Sequence, residues 1–320
     1  MKIRWGLVGC GDISNKRVAP AIVDLENSEL VSVARANHSK AEEFAKKFGA
    51  KKWFKNWQDL LADDDIDAVY IATPVNLHAE QAIAAAEAGK HVLCEKPMAM
   101  DVIECDRMMD ACKAANVKLG VAYYRHFYPA VNRIKEILQS GEIGLPAYTL
   151  IKVHEMFNPL PGQPRRWLVE KEQAAGGPMM DVGSHRIELL MNLFGPISHA
   201  TGTFANGVYE RSVEDTGLAT LKFKRGCAAS LATCHSSALP QDTVDVFGCK
   251  GTIQVSSLNE GRMTINTGDE ERKEHHPPHA NVHQPHIEDF INAIINNTEP
   301  AVTGEMGREV TRILDLIYGR

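Results

Sequence analysis

The chain has 320 residues, 44% hydrophobic and 24% charged, an ordinary globular composition long enough for two domains with a core each. A formal net charge of −6 with no basic tract argues against a nucleic-acid-binding surface. Seven cysteines without a C-x-x-C pair encode neither a disulfide framework nor a thiolate metal site. The opening MKIRWGLVGCG runs directly into a strand and a glycine loop, with no signal-peptide region and no apolar run long enough to span a bilayer. The expectation is a reduced, soluble, cytoplasmic protein.

In the first third, strand and helix signals alternate. Ile3 to Val8 is an apolar run followed by Gly-x-Gly and a helical stretch near Val18 to Leu25. Leu30 to Ala34, Ala68 to Thr73, His91 to Cys94 and Lys118 to Ala122 read as further strands. Ser39 to Phe48, with Ser39 as N-cap, His78 to Ala88 and Val102 to Ala115 read as helices. Continuous apolar strands alternating with helices indicate a parallel sheet covered on both faces. The fold class is therefore α/β, with an N-terminal doubly wound parallel sheet over residues 1–122.

Residues 123–320 read as an α+β domain with an open, mainly antiparallel sheet. A helix is expected at Pro129 to Gln139. Strand-like runs follow at Ala147 to His154, Gly217 to Phe223, Ala228 to Thr233, Thr243 to Phe247 and Thr252 to Val255. Lys224-Arg225-Gly226 and Gly248-Cys249-Lys250-Gly251 sit at hairpin positions, and Val182 to Phe194 and Ile287 to Asn296 complete the helices.

The segment GLVGCGDIS offers Gly9, Cys10, Gly11, Asp12 and Ile13 as a phosphate-cradling loop directly after the first strand. Its third fingerprint position is Ser14 rather than Gly or Ala, an imperfect match, and a plain strand-to-helix turn is the alternative. After the second strand, VARANHSK holds no acid for the ribose hydroxyls of NAD. Arg35 stands there instead, with His38, Ser39 and Lys40 behind it. That group suits a 2′-phosphate, which favours NADP with NAD as the alternative, unless Arg35 is a solvated surface residue. ATPVNLH places Thr73, Pro74, Asn76 and His78 at the ligand-facing ends of the strands, although a strand cap and helix start would look the same.

Two further stretches hold chemistry. In HVLCEKPMAM, Lys96 leaves a buried strand at the same sheet edge as the glycine loop and is followed by Pro97; a surface lysine before a turn proline is the bland reading. In AGGPMMDVGSHRIELL, Asp181 and His185 are four apart and share one helix face, suited to a carboxylate-oriented imidazole base. An acid in a first helical turn and a solvated histidine would give the same letters. Gly176-Gly177 before them would let backbone approach a ligand closely.

Taken together, Gly9-x-Gly11, EKP at 95–97 and Asp181-x-x-x-His185, with GLVGCGDIS, VYIAT, AGKHVLCEKPMA and GGPMMDVGSH, resemble the glucose–fructose oxidoreductase/inositol dehydrogenase/MocA family along essentially the whole chain. The resemblance implies a Rossmann domain followed by an open sheet used in homodimer or homotetramer contacts. It implies Lys96, Asp181 and His185 as the catalytic group, a cis Lys96–Pro97 bond, and Glu95 and His283 beside the cofactor. It also implies hydride transfer between nicotinamide and a carbinol or keto carbon of a sugar, sugar derivative or cyclitol. Substrate hydroxyls are assigned to Tyr124, Arg125, His154, Arg166 and Trp167, for which ordinary packing or surface charge is the alternative. EHHPPHANVHQPH, residues 274–286, is histidine-rich but lacks ligand spacing, so no metal is expected. The rival functions are a redox-neutral glycosidase using bound NAD and a non-catalytic dinucleotide sensor.

Overall fold

The computed structural model describes residues 2–320, which divide into two compact units. The first runs to Tyr124 and takes in Asn281–Thr311; the second is Arg125–Ala280 with Arg312–Arg320. The sequence reading placed everything after residue 122 in the second domain, whereas Asn281–Thr311 clusters with the first unit.

The first unit starts with β1 (Ile3–Val8), a wide π-type turn at Ser14–Val18 and α1 (Ala19–Asp24). It continues with β2 (Ser28–Ala34), α2 (His38–Phe48), β3 (Lys52–Phe54), α3 (Trp57–Leu61), β4 (Ala68–Ile71), α4 (His78–Glu87), β5 (His91–Cys94), α5 (Val102–Ala114) and β6 (Leu119–Val121). The strands lie in the order β3-β2-β1-β4-β5-β6, every neighbouring pair parallel, which is the doubly wound dinucleotide-binding arrangement. Central strands are buried on both faces, as the unbroken apolar runs required. The N-cap of α2 is Asn37, whose side chain accepts the Lys40 N–H at 3.0 Å; Ser39, expected as the cap, donates its hydroxyl to Asn37 instead.

The second unit holds α6 (Pro129–Ser140), β7 (Pro146–Met156), α7 (Lys171–Ala174), α8 (Ser184–Phe194), β8 (Ile197–Ala205), β9 (Thr216–Phe223), β10 (Ala228–Cys234), β11 (Ser236–Gly248), β12 (Thr252–Ser257), β13 (Arg262–Asn266) and β14 (Glu271–His275). Its sheet runs β14-β13-β12-β11-β7-β10-β9-β8 and is antiparallel except where β10 pairs with β7. Alternation along β9 buries Ala219, Leu221 and Phe223 and turns Leu218, Thr220 and Lys222 outward. Last come α9 (Gln284–Asn296) and α10 (Gly304–Tyr318). Ile287, Phe290 and Ile291 of α9 join Trp5, Leu7, Tyr70 and Leu93 in the core of the first unit. None of the helices among the described residues is long and apolar enough to cross a membrane.

Candidate active site

The register across the three central strands of the first unit sets the geometry of one sheet edge. Val8 lies beside Ile71, and Ile71 beside Cys94. The chain therefore leaves β1, β4 and β5 at the same level, releasing Gly9, Thr73 and Lys96 from one edge. Gly9 has φ +96°, and a Cβ there would come within 2.7 Å of the Ala72 carbonyl group, so the turn admits only glycine. A Cβ on Gly11 would meet nothing within 4 Å: this glycine faces open space, as a backbone that receives a ligand requires. Ser14, the departure from the fingerprint, is fully buried and donates its hydroxyl to the Gly9 carbonyl at 2.5 Å, bracing the loop. Cys10 is buried and bonds the Ala34 carbonyl; burial pushes its thiol up to about 12 against the pull of Arg35. Asp12 is exposed and paired with Lys16, and Ile13 is partly buried.

Arg35 is half-buried and donates from Nη1 to the Cys10 carbonyl at 2.8 Å. His38, Ser39 and Lys40 are exposed at the start of α2, whose first turn holds no acid. At the end of β4, Thr73 bonds Gln81 through its hydroxyl at 2.7 Å, and Asn76 is exposed beside partly buried Pro74. His78, expected at the cofactor, lies between the loops after β4 and β5. It is 1% exposed, with Nε2 2.9 Å from the Thr73 carbonyl and Nδ1 3.0 Å from that of Pro97, and so ties the two loops together.

The Lys96–Pro97 peptide is cis. Lys96 is half-buried, and its backbone N–H donates to Glu95 Oε2 at 3.2 Å. Glu95 is buried; its Oε1 accepts the Tyr70 hydroxyl at 2.9 Å and lies 3.5 Å from His283 Nε2. Burial raises the Glu95 carboxyl, but His283, Lys96 and Tyr70 together outweigh it and hold the group below the usual glutamate value. Burial first, then the neighbouring carboxylate, pushes the Tyr70 phenol well up. His283 stacks on Tyr124 at 4.5 Å, and its Nδ1 is buried with no hydrogen-bond partner among the described residues. An orphaned donor or acceptor in the interior calls for a polar ligand. That atom, the open space at Gly11 and the enforced glycine turn all fit a bound dinucleotide.

Behind this group lies His286, which sequence reasoning missed: Tyr70 O–H is 3.5 Å from its Nε2, and burial with the adjoining His283 drives its titration well below the usual histidine value. The signal was the H-x-x-H spacing at the start of α9.

In the second unit, Asp181 falls within a wide turn, Met179–Gly183, that runs into α8, and His185 occupies the first turn of α8. Both are buried. Gly176 and Gly177 do allow a close approach, but the neighbour is protein: a Cβ on Gly176 would sit 2.3 Å from the Tyr318 hydroxyl, and one on Gly177 2.2 Å from the Glu214 carbonyl oxygen. The helix also buries Arg186, which pairs with Asp242, and Glu188, which bonds His126 at 2.7 Å. Burial raises the Glu188 carboxyl despite His126.

The candidate substrate residues are scattered in character. Tyr124 packs on His283, while Arg125, at the start of the second unit, is half-buried. His154 lies on β7, its titration lowered by burial and then by Lys152. Arg166 is occupied locally, bonding Glu170 and the Pro159 carbonyl, beside half-buried Trp167. In the histidine-rich stretch, His283 and His286 are buried in the first unit while His275 and His279 are exposed; no group of three or more potential metal ligands occurs among the described residues.

A parallel sheet in this order with a glycine loop at its ligand edge defines a dinucleotide-binding protein of the Rossmann class. The oxidoreductase family model described as NAD-binding Rossmann fold, GFO/IDH/MocA, matches residues 3–123, and the GFO/IDH/MocA C-terminal domain model matches 131–254. Oxidoreductase P35 of Formosa agariphila is 31% identical over 99% of both chains. The 1,5-anhydro-D-fructose reductase of Ensifer adhaerens is 28% identical over 95% of this chain and 92% of its own. Among solved structures, a levoglucosan dehydrogenase in complex with NADH and levoglucosan superposes with a TM-score of 0.90 at 26% identity, covering 100% of this chain and 97% of the other. The chain belongs to the GFO/IDH/MocA oxidoreductase family.

Proposed function

We propose that the protein is a nicotinamide-dependent oxidoreductase acting on a carbinol or keto carbon of a sugar, sugar derivative or cyclitol, with the first unit binding dinucleotide and the second unit binding substrate. The observation that carries the reading is that β1, β4 and β5 end in register at Val8, Ile71 and Cys94, so that Gly9, Thr73 and Lys96 follow from one sheet edge. The relatives named for levoglucosan and 1,5-anhydro-D-fructose support the substrate class.

The nicotinamide, when bound, supplies or accepts the hydride. Gly9 and Gly11 present backbone to the pyrophosphate. Arg35, with His38, Ser39 and Lys40 and no acid nearby, favours NADP over NAD. The Lys96 ammonium stabilises negative charge developing on the substrate oxygen. His185 takes the hydroxyl proton in oxidation and returns it in reduction, with Asp181 orienting the ring. Exposed Leu218 and Tyr148 on the second sheet support self-association into a dimer or tetramer, and seven free cysteines suit a reducing, cytoplasmic setting.

The test is a screen of sugars, inositols and keto-sugars, levoglucosan and 1,5-anhydro-D-fructose among them, with each dinucleotide, followed at the nicotinamide absorbance. Turnover of at least one is expected. Cleavage of nitrophenyl glycosides with no net change in the nicotinamide band would overturn the reading in favour of redox-neutral hydrolysis.

A further inference from the structure

Gly177 and Pro178 lead into the wide turn Met179–Gly183 that carries Asp181, and the first N–H groups of any helical segment lack partners within it. Proline removes one donor. Two of the others are met from outside: Glu214 Oε2 accepts Gly177 N–H at 2.9 Å and Glu214 Oε1 accepts Met179 N–H at 3.3 Å, while the Tyr318 hydroxyl lies against this same stretch of backbone. The same hydroxyl donates to Glu214 Oε1 at 2.6 Å. Next along, Asp181 N–H bonds the Gly177 carbonyl at 3.0 Å, so the cap leads directly to the acid. Tyr318 is held in turn by stacking on Phe204 at 4.5 Å and 7°, with the Arg320 guanidinium over its ring at 4.8 Å. Gly176 and Gly177 are the residues that let this pair approach.

We propose that Glu214 and Tyr318 are positioning residues for Asp181 and His185, a carboxylate–phenol cap brought from the β8–β9 loop and the last helix to fix where the acid–base helix begins. The inference rests on the reading of Asp181 and His185 as the acid–base pair. A carboxylate at this end also faces the positive pole of the α8 segment. Small displacements of reacting groups cost up to ~100-fold in rate, so a loosened cap is read in turnover rather than in cofactor affinity.

The variants are Tyr318→Phe, which keeps the stacked ring and removes only the hydroxyl, and Glu214→Gln, with His185→Asn as reference. Amide exchange of residues 177–185 is measured on each full-length protein, with NADP(H) affinity by fluorescence and turnover of levoglucosan, myo-inositol and 1,5-anhydro-D-fructose. In Tyr318→Phe, exchange is expected to rise locally over 177–185, kcat to fall roughly 10- to 100-fold and dinucleotide Kd to stay within about twofold. Unchanged exchange and kcat in Tyr318→Phe would overturn the proposal, as would a rise in exchange spread over the whole second unit with kcat per folded molecule unchanged. Wild-type turnover in His185→Asn would instead sink the acid–base reading. If the wild type turns over none of the three probes, the exchange arm alone decides whether the cap fixes the turn.

Discussion

The Arg35 guanidinium donates to the Cys10 carbonyl oxygen at 2.8 Å, fastening the end of β2 to the glycine loop. One nitrogen thus serves the loop itself, while the side chain stays half-exposed beside His38, Ser39 and Lys40. If Arg35 also meets the 2′-phosphate, as proposed, it contributes to dinucleotide binding in two separable ways. Arg35→Asp should weaken both cofactors by about 0.5–1.5 kcal/mol through the lost loop bond, and NADP by about 1.5–3 kcal/mol more through the lost charged contact to the 2′-phosphate. Fluorescence titrations with NADPH and NADH measure the two losses. Equal losses would leave Arg35 as a loop brace and remove the preference for NADP.

The buried histidines of the first unit make stability depend on pH. Burial, with His283 adding to it, keeps His286 neutral far below 6.5, and burial lowers His78 against the pull of two carbonyls. Both take a proton near 6.5 when unfolded, so below that pH the unfolded chain binds more protons and stability falls as pH falls towards the folded values. Glu95 acts in a more acidic window: its lowered value contributes stability above about 4.5 that is lost as pH drops through the folded value. Urea midpoints from about pH 7.5 to about 5.5 should decline, by up to ~1.4 kcal/mol per pH unit for each histidine. His286→Gln should flatten that slope, and an unchanged slope would dismiss His286 as its source.

Much of this architecture was readable in the letters because its strands are unbroken apolar runs and its loops carry glycines. The alternation of β and α gave the parallel sheet, and KRG and GCKG gave two hairpins. The edge strands Lys52–Phe54 and Glu271–His275 and the strand Arg262–Asn266 beside the latter escaped, because short, half-exposed strands mix in polar and charged residues and lack an apolar run. The place of Asn281–Thr311 in the first unit escaped for another reason: which core an amphipathic helix joins is a tertiary choice that periodicity does not encode. The same limit explains Gly176-Gly177. The letters announce close approach, but only the fold reveals that Glu214 and Tyr318 are what approaches.

Those glycines give a direct stability test. Gly177→Ala places a Cβ 2.2 Å from a backbone oxygen of Glu214, which cannot rotate aside. The backbone must move, at a cost of about 1–3 kcal/mol or more. Gly207→Ala, where a Cβ meets nothing within 4 Å, should stay within about 0.5 kcal/mol of wild type. Urea denaturation of both variants measures the difference, and similar midpoints would mean that the GGP approach is looser than the geometry requires.

Lys96 decides between a catalyst and a binding module. Its side chain leaves the sheet edge one residue after Glu95, whose buried carboxylate accepts the Lys96 backbone N–H and is itself held by Tyr70. The turn is therefore braced through its backbone by Glu95. Lys96→Met keeps the stem and removes the charge, so the turn and the dinucleotide contacts of Gly9, Gly11 and Arg35 should persist. If the ammonium stabilises an alkoxide, single-turnover hydride transfer should fall by about 100-fold or more, the scale of losing one donor to a developing oxyanion. His185→Asn should give a comparable fall, since proton removal from the substrate hydroxyl then lacks its base. If both groups serve one transition state, as proposed, the double variant should be less impaired than the product of the two single losses. The measurement is made with dinucleotide saturating, so that affinity does not enter. A Lys96→Met rate near wild type, with dinucleotide affinity intact, would reduce the lysine to a feature of the turn and leave the protein's chemistry to be sought in the second unit alone.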